Sequence, residues 1–474
     1  MSQNLVVIMS DQHRRSALGC YGHPVVETPA LDALAQCGTR FSRGYCNAPI
    51  CVPSRASMAT GLHINEVSAW DNAAPYRGQR RSFMHRAQDT KRETVSIGKL
   101  HFRNTEDDVG FDQQILPMHV VNGTGTFTSL LRNPLPTVQT AGDLLRNAGA
   151  GASPYAAYDQ SICDAAVDWL ENRSADDAPF LLFVSFTNPH PPYLAEQELF
   201  DIYMSRDLAE PNVRDAAHLD HQTLQNLRTY FDIDLDALSA EQIKSITAAY
   251  YANITALDRR IGKVLDALRN SQVGDETHII YTSDHGEALG THGLYGKCSL
   301  LEPSVGVPLI MAGPDMPYGK TVNTPAQLLD IYPTVLDLFD ATPQPLDKRR
   351  RGRSLRQIAQ EPSTQRPIVA QQHCAGATSG VYGVTEGRWK YICTPDADPL
   401  LFDLLKDPTE SQNLHGTPEL AQTEASLLNE IRKVADPVAT DIACKQSQME
   451  RIVATGGYEA ITQTPNAGFT PAPS

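Results

Sequence analysis

A chain of 474 residues, 41% hydrophobic and 20% charged, has the composition of an ordinary folded globular protein. Length alone suggests about three domains, which the long loops of large α/β sheets bring down to an expected two. A formal charge of −15, from 40 basic and 55 acidic residues, argues against nucleic acid or an anionic membrane as the main partner.

From the start of the chain, Met1-Ser2-Gln3-Asn4 has no basic region and Leu5–Met9 is too short an apolar stretch for a signal peptide. Leu5–Met9 reads instead as a strand buried on both faces, ending in Ser10-Asp11-Gln12-His13. A helix follows, with Thr28 as N-cap, Pro29 at its first position and Gly38 as its stop. Phe180–Phe186 is a second buried strand, ending in Asn188-Pro189-His190, and as the longest apolar run it falls far below the roughly 20 residues needed to cross a bilayer. A long helix is expected from Ser239 to about Asn270, because Ser239 and Gln242 have capping-box spacing. His278–Thr282 is a third strand, ending in Ser283-Asp284-His285-Gly286.

A further helix is expected to start at Thr324-Pro325 and to carry Asp330–Thr334. The basic run Lys348–Arg351 reads as a solvated connector. Val381–Val384 and Arg388–Tyr391 look like strands joined at Glu386-Gly387, and Leu401–Leu404 follows. They suggest a division into residues 1–360, a catalytic domain, and residues 361–474, a smaller α+β domain. The tail from Thr464, rich in Pro, Gly and Ala, reads as an arm over the surface or a homo-oligomer contact.

Nine cysteines without repeated spacing, and no CxxC pair, suggest reduced thiols and a cytoplasmic protein. The sequons at Asn122, Asn172 and Asn253 are then chance matches.

Strands that alternate with helices predict an α/β fold, and in such sheets functional loops gather beyond the carboxyl ends of the strands. Three expected strands end in Asp11-Gln12, His190 and Asp284-His285. Two carboxylates, a carboxamide and an imidazole brought together would suit a hard-to-borderline divalent cation. Any anionic substrate of so acidic a protein needs a local basic pocket.

The segment Cys51-Val52-Pro53-Ser54-Arg55, followed by Thr60-Gly61, resembles the C-x-P-S-R signature of the formylglycine-dependent sulfatases of the alkaline phosphatase superfamily. Other blocks match that family in order: Thr28–Ala35, Gly98-Lys99-Leu100-His101, Asn188–Pro192, Ser283–Gly286, Gly296-Lys297, Asp330–Thr334, and Leu401–Leu404 through Asn413-Leu414. Gln12 and His285, where many sulfatases have Asp and Asn, resemble the branch of choline sulfatases and phosphonate monoester hydrolases.

The resemblance implies a large mixed sheet flanked by helices and hydrolysis of a small sulfate monoester. It further implies that a formylglycine-generating enzyme oxidises Cys51 to formylglycine, whose hydrate is the nucleophile. Asp11, Gln12, Asp284 and His285 would hold one divalent ion, with calcium, manganese, magnesium and zinc all open. Arg55 would hold the hydrate, Lys99 and Lys297 would neutralise sulfuryl oxygens, and His190 or Lys297 would protonate the leaving group. His101 would deprotonate the second hydroxyl of the hydrate, and Asn72 would touch the substrate.

The other readings are a phosphonate monoester or phosphodiester hydrolase of the same superfamily and a non-catalytic anion-binding protein with Cys51 left as a thiol. Lys99-Leu100-His101 favours the sulfatase reading. A quaternary ammonium substrate would want an aromatic cage, and of three tryptophans only Trp70 adjoins a site segment.

Overall fold

In the computed structural model, which describes residues 3–208, 220–234, 236–363, 365–464 and 469–473, eight strands form one sheet. In chain order they are β1 (Asn4–Asp11), β2 (Gly38–Phe41), β3 (Glu93–Lys99), β4 (Gln113–Met118), β5 (Phe180–Pro189), β6 (Thr277–Ser283), β7 (Leu309–Ala312) and β8 (Lys320–Val322). Their order across the sheet is β8-β2-β7-β6-β1-β5-β3-β4. The pairings β6-β1, β1-β5, β5-β3 and β3-β4 are parallel, whereas β7 runs antiparallel to both β6 and β2. This is a mixed α/β sheet flanked by helices, as expected. Val7 sits opposite Phe183 on one side and Ile280 on the other, so the three expected strands are direct neighbours.

The continuous apolar runs arise because both faces of the sheet are covered. Successive side chains point to opposite faces. Leu5, Val7 and Met9 therefore join one core with Leu181 and Phe183, and Val6 and Ile8 join another with Leu182 and Val184. The first core packs on α2 (Cys51–Thr60) and α5 (Ile331–Leu338); the second packs on α1 (Pro29–Cys37), α3 (Pro154–Glu171) and α4 (Ala240–Asn270).

Local signals held in part. Ser239 and Gln242 form the expected capping box at the start of α4. Helix α1 spans its expected residues, but its first free N–H groups are not capped by Thr28. The Asp258 carboxylate on α4 accepts from Ala30 N and Leu31 N, each at 2.9 Å. The helix expected from Thr324-Pro325 begins only at Ile331. Ala326 and Gln327 pair sideways with Gly44 and Tyr45, and a backbone committed to that ladder cannot also turn into a helix. Of the basic run, Lys348, Arg349 and Arg351 are exposed, but Arg350 lies over the Tyr332 ring and donates to the Thr60 carbonyl.

A second, four-stranded antiparallel sheet is built from β9 (Ile368–Gln372), β10 (Val381–Glu386), β11 (Trp389–Thr394) and β12 (Ala397–Asp403). One face, including Ile368, Ile392 and Phe402, joins the main core; the other, including Tyr382, Val384 and Leu401, packs on α6 (Ala421–Arg432). Helix α7 (Pro437–Ala454) follows. Of the expected tail arm, residues 465–468 and 474 lie outside the described residues.

Candidate active site

Because β1, β3, β5 and β6 are mutually parallel, their carboxyl ends lie along one edge of the sheet. That edge gathers Asp11 at the end of β1 and Gln12 just beyond it, Lys99 from β3, His190 just beyond β5, and Asp284 and His285 just beyond β6. Cys51 joins them as the first residue of α2, where unpaired backbone N–H groups favour negative charge. The Asn72 side-chain oxygen accepts from Val52 N at 3.3 Å, which fixes that helix start next to Cys51.

Around Cys51 the distances are short. Its Sγ is 3.2 Å from His285 Nε2, 3.2 Å from Lys297 Nζ and 3.7 Å from Asp11 Oδ1. Ligand atoms of Asp11, Cys51, Asp284 and His285 all lie within 4.8 Å of one another, and all four residues are buried. His285 Nδ1 is bonded to the Gly286 carbonyl at 3.0 Å, which leaves Nε2 directed at the cluster. Gln12, at a left-handed φ of 67°, presents Oε1 to Lys297 Nζ at 2.7 Å. Two carboxylates, one imidazole nitrogen and one amide oxygen fit a divalent cation of hard or borderline character.

Arg55 stands one helical turn beyond Cys51 and is fully enclosed. It donates from Nε to Asp284 Oδ2 at 2.8 Å and from Nη2 to Asp11 Oδ2 at 3.3 Å. Its Nη1 reaches the Lys99 carbonyl at 2.7 Å and Ser185 Oγ at 2.9 Å. The fork of donors therefore spans both carboxylates and is directed at them rather than at position 51. Lys99 Nζ adds a second cation 2.6 Å from Asp11 Oδ2. With half-buried Lys297, three cations face two carboxylates, which is the local basic pocket that so acidic a protein needs.

These charges shift one another. Burial would raise the Asp11 carboxyl, but Lys99, His190, Lys297 and Arg55 hold it well below the usual carboxylate range. Burial pushes the unmodified Cys51 thiol up to about 11, and Asp11 adds to the rise. Burial, then Lys297, pushes His190 well below its ordinary value; for His101, burial and then Lys99 do the same.

His190 donates from Nδ1 to the Pro191 carbonyl, 2.7 Å away, and lies near the Tyr155 ring. His101 has its Nε2 2.9 Å from Thr470 Oγ1, in the C-terminal segment, and the Thr470 carbonyl accepts from Tyr155 OH at 2.6 Å. Beside His190 and Lys297 opens a pocket lined by Leu144, Leu145, Phe231, Ile233 and Tyr295.

All expected site residues thus come to one edge of the sheet. Sequence reasoning missed Ser185, Tyr155, Glu287 and Thr470. Glu287 carried a signal, an acidic residue directly after Ser283-Asp284-His285-Gly286; Thr470 carried none.

The family model described as Sulfatase matches residues 3–341, and one described as N-sulphoglucosamine sulphohydrolase, C-terminal, matches residues 290–436. A choline-sulfatase of Rhizobium meliloti (strain 1021) is 30% identical over 473 residues, covering 97% of this chain and 91% of its own. An arylsulfatase K of Danio rerio is 29% identical over 452 residues, covering 90% of this chain and 83% of its own. Among solved structures, the phosphonate monoester hydrolase of Agrobacterium radiobacter superposes with a TM-score of 0.73 at 24% identity, covering 91% of this chain and 95% of its own. That last likeness is one of fold.

Proposed function

The chain belongs to the sulfatase family and is a sulfuric ester hydrolase, and from that premise we propose that it cleaves small sulfate monoesters of apolar alcohols or phenols with a formylglycine derived from Cys51. The observation that carries this reading is the position of Cys51: first residue of a helix, with Lys297 Nζ and His285 Nε2 each 3.2 Å from its Sγ.

Oxidation at position 51 would supply an aldehyde hydrate, with one hydroxyl to attack sulfur and a second through which sulfate can leave. A divalent cation held by Asp11, Gln12, Asp284 and His285 would act there as a Lewis acid toward a sulfate oxygen and the attacking hydroxyl.

The chain's own groups do the rest. Arg55 holds Asp11 and Asp284 in fixed orientation through its rigid fork, so the two carboxylates need not reorganise during reaction. Lys99 and Lys297 bring positive charge to the sulfuryl oxygens as charge spreads over them. His190 and Lys297 line the pocket where the leaving oxygen would sit. Lys297, held protonated, can hand it a proton, whereas His190 gives its Nδ1 proton to the Pro191 carbonyl and would have to take up a second at Nε2 to do so. In the tautomer that gives Nε2–H to Thr470 Oγ1, His101 keeps the lone pair of Nδ1 for the hydroxyl that must be deprotonated.

The apolar lining of Leu144, Leu145, Phe231 and Ile233 supports an uncharged organic group on the ester. Tyr193, Phe231 and Tyr295 also line this pocket and offer aromatic faces to a quaternary ammonium group, but among the described residues no carboxylate does, and Lys297 beside it is cationic.

The test is peptide mass spectrometry across Cys51, on protein made with a formylglycine-generating enzyme, together with a panel of sulfate esters and a phosphonate monoester. A formylglycine mass with sulfate release is the expected result. Unmodified Cys51 without sulfatase activity, or faster turnover of the phosphonate, would overturn it.

A further inference from the structure

Glu287 is fully buried beside the site, and each of its carboxylate oxygens accepts two hydrogen bonds. Oε1 receives the backbone N–H of Leu289 at 2.7 Å and of Gly296 at 2.6 Å, from both ends of the loop that leads to Lys297. Oε2 receives the Tyr193 hydroxyl at 3.1 Å and the Nε2 of Gln12. At its other end the same Gln12 carboxamide accepts from Lys297 Nζ at 2.7 Å.

A carboxamide can turn either end toward a neighbour, because its oxygen and nitrogen differ little in size. An ionised carboxylate only accepts, so it admits one orientation of the amide. We propose that Glu287 is a positioning residue that sets the polarity of Gln12, turning its carbonyl oxygen, and not its NH₂, toward Lys297 and the cation. The same contact accounts for an amide at position 12. A carboxylate there would face Glu287 with like charge in a buried space, and one of the pair would have to bind a proton. The inference rests on the reading of Gln12 as a metal ligand.

Metal-free wild-type and variant proteins are titrated with Mn²⁺ alone by calorimetry, and kcat and KM are measured after reloading. In Glu287→Gln, the introduced amide can satisfy Leu289 N and Gly296 N only by pointing its NH₂ at Gln12. Gln12 must then flip and turn its own NH₂ on Lys297. Mn²⁺ should bind about 10- to 100-fold more weakly, with kcat reduced.

The exchange Gln12→Glu with Glu287→Gln reverses the contacts of position 287 with position 12 and with Tyr193, and leaves every pair made. The introduced NH₂ donates to the new carboxylate and to Tyr193 OH, while its oxygen keeps both backbone donors. Mn²⁺ affinity should recover in the exchange and not in either single variant.

Wild-type affinity in Glu287→Gln, or an exchange no tighter than that variant, would overturn the proposal. Should Glu287→Gln fail to fold, Gln12→Glu alone is compared with the exchange, and equal Mn²⁺ affinity in the two would overturn it as well. A wild-type chain that does not bind Mn²⁺ would instead overturn the metal reading, and this inference with it.

Discussion

Lys297 Nζ lies 3.2 Å from Cys51 Sγ, across a separation of 246 positions in the chain. The same ammonium donates to Gln12 Oε1, so it is anchored beside the proposed cation site and faces the nucleophile proposed at position 51. Lys297→Ala should lower kcat about 10²- to 10³-fold, the loss typical of one preorganised electrostatic donor. The melting temperature should stay near the wild-type value. Steady-state kinetics with an aryl sulfate check this, and an unchanged kcat would remove Lys297 from the reaction.

The pocket beside Lys297 offers apolar side chains to the ester's organic group. The kcat/KM for 4-nitrophenyl sulfate should exceed that for choline sulfate by at least about tenfold, the discrimination that an apolar pocket supplies. Phe231→Ala should narrow the ratio by lowering the aryl value. A preference for choline sulfate would contradict the uncharged-leaving-group reading.

Thr470 holds His101 Nε2 at 2.9 Å, and Phe469 stacks edge-on against Tyr155. Thr470→Val keeps the shape and removes the hydrogen bond. Activity should fall about 2- to 12-fold, the equivalent of the ~0.5–1.5 kcal/mol net value of one hydrogen bond. Thermal unfolding should be nearly unchanged. Wild-type kcat/KM across the pH profile would show that the C-terminal segment does not tune His101.

Removal of the cation should leave Arg55, Lys99 and Lys297 as the main positive charges facing Asp11 and Asp284. Chelator-treated protein is expected to lose sulfatase activity and to regain it with one divalent ion per chain. At a free ion concentration of 100 Kd, binding adds about 2.7 kcal/mol to stability, visible as a rise in the thermal midpoint. A midpoint indifferent to every divalent ion would contradict the site.

Away from the site, Lys390 Nζ bridges Glu302 at 2.8 Å and Glu410 at 2.9 Å, with Arg15, Tyr45 and His292 around them. Burial raises Glu302, but Lys390 and Arg15 hold it down to about 2. Its folded value is depressed, so its contribution to stability is present above the ordinary carboxyl range and is lost as pH falls toward 2. Burial pushes Glu410 the other way, to about 7, so its contribution is present in acid and is lost as pH rises through neutrality. Glu302→Gln should cost about 3–5 kcal/mol at pH 7, the cost of breaking a buried pair, and progressively less below pH 4. Glu410→Gln should cost far less and should flatten the fall in stability between about pH 4.5 and pH 7. Denaturant titrations at pH 3, 5, 7 and 8.5 read both, and equal costs for the two variants would contradict the assignment.

Local chemistry made much of this legible in the sequence. Leu5–Met9 and Phe180–Phe186 are continuous apolar runs because both faces of their strands are covered, and a run of that kind needs no knowledge of its neighbours. Ser239 and Gln242 cap α4 through atoms three residues apart. Cys51 and Arg55 stand one turn apart on α2, and their spacing was visible before any partner was known.

Contacts set by the order of the strands were not legible. The cap of α1 comes from Asp258, 228 positions after Ala30, because α1 and α4 pack on one face of the sheet. Arg55 turns to Asp284 and Asp11 because parallel pairing brings the ends of β6 and β1 side by side. Glu287 meets Gln12 for the same reason, and Thr470 meets His101 only because the C-terminal segment returns to that edge. A residue's type and near neighbours decide whether it can form a strand, start a helix or carry charge. Which distant group it faces depends on sheet order and chain return, and those were decided only when the whole chain had packed.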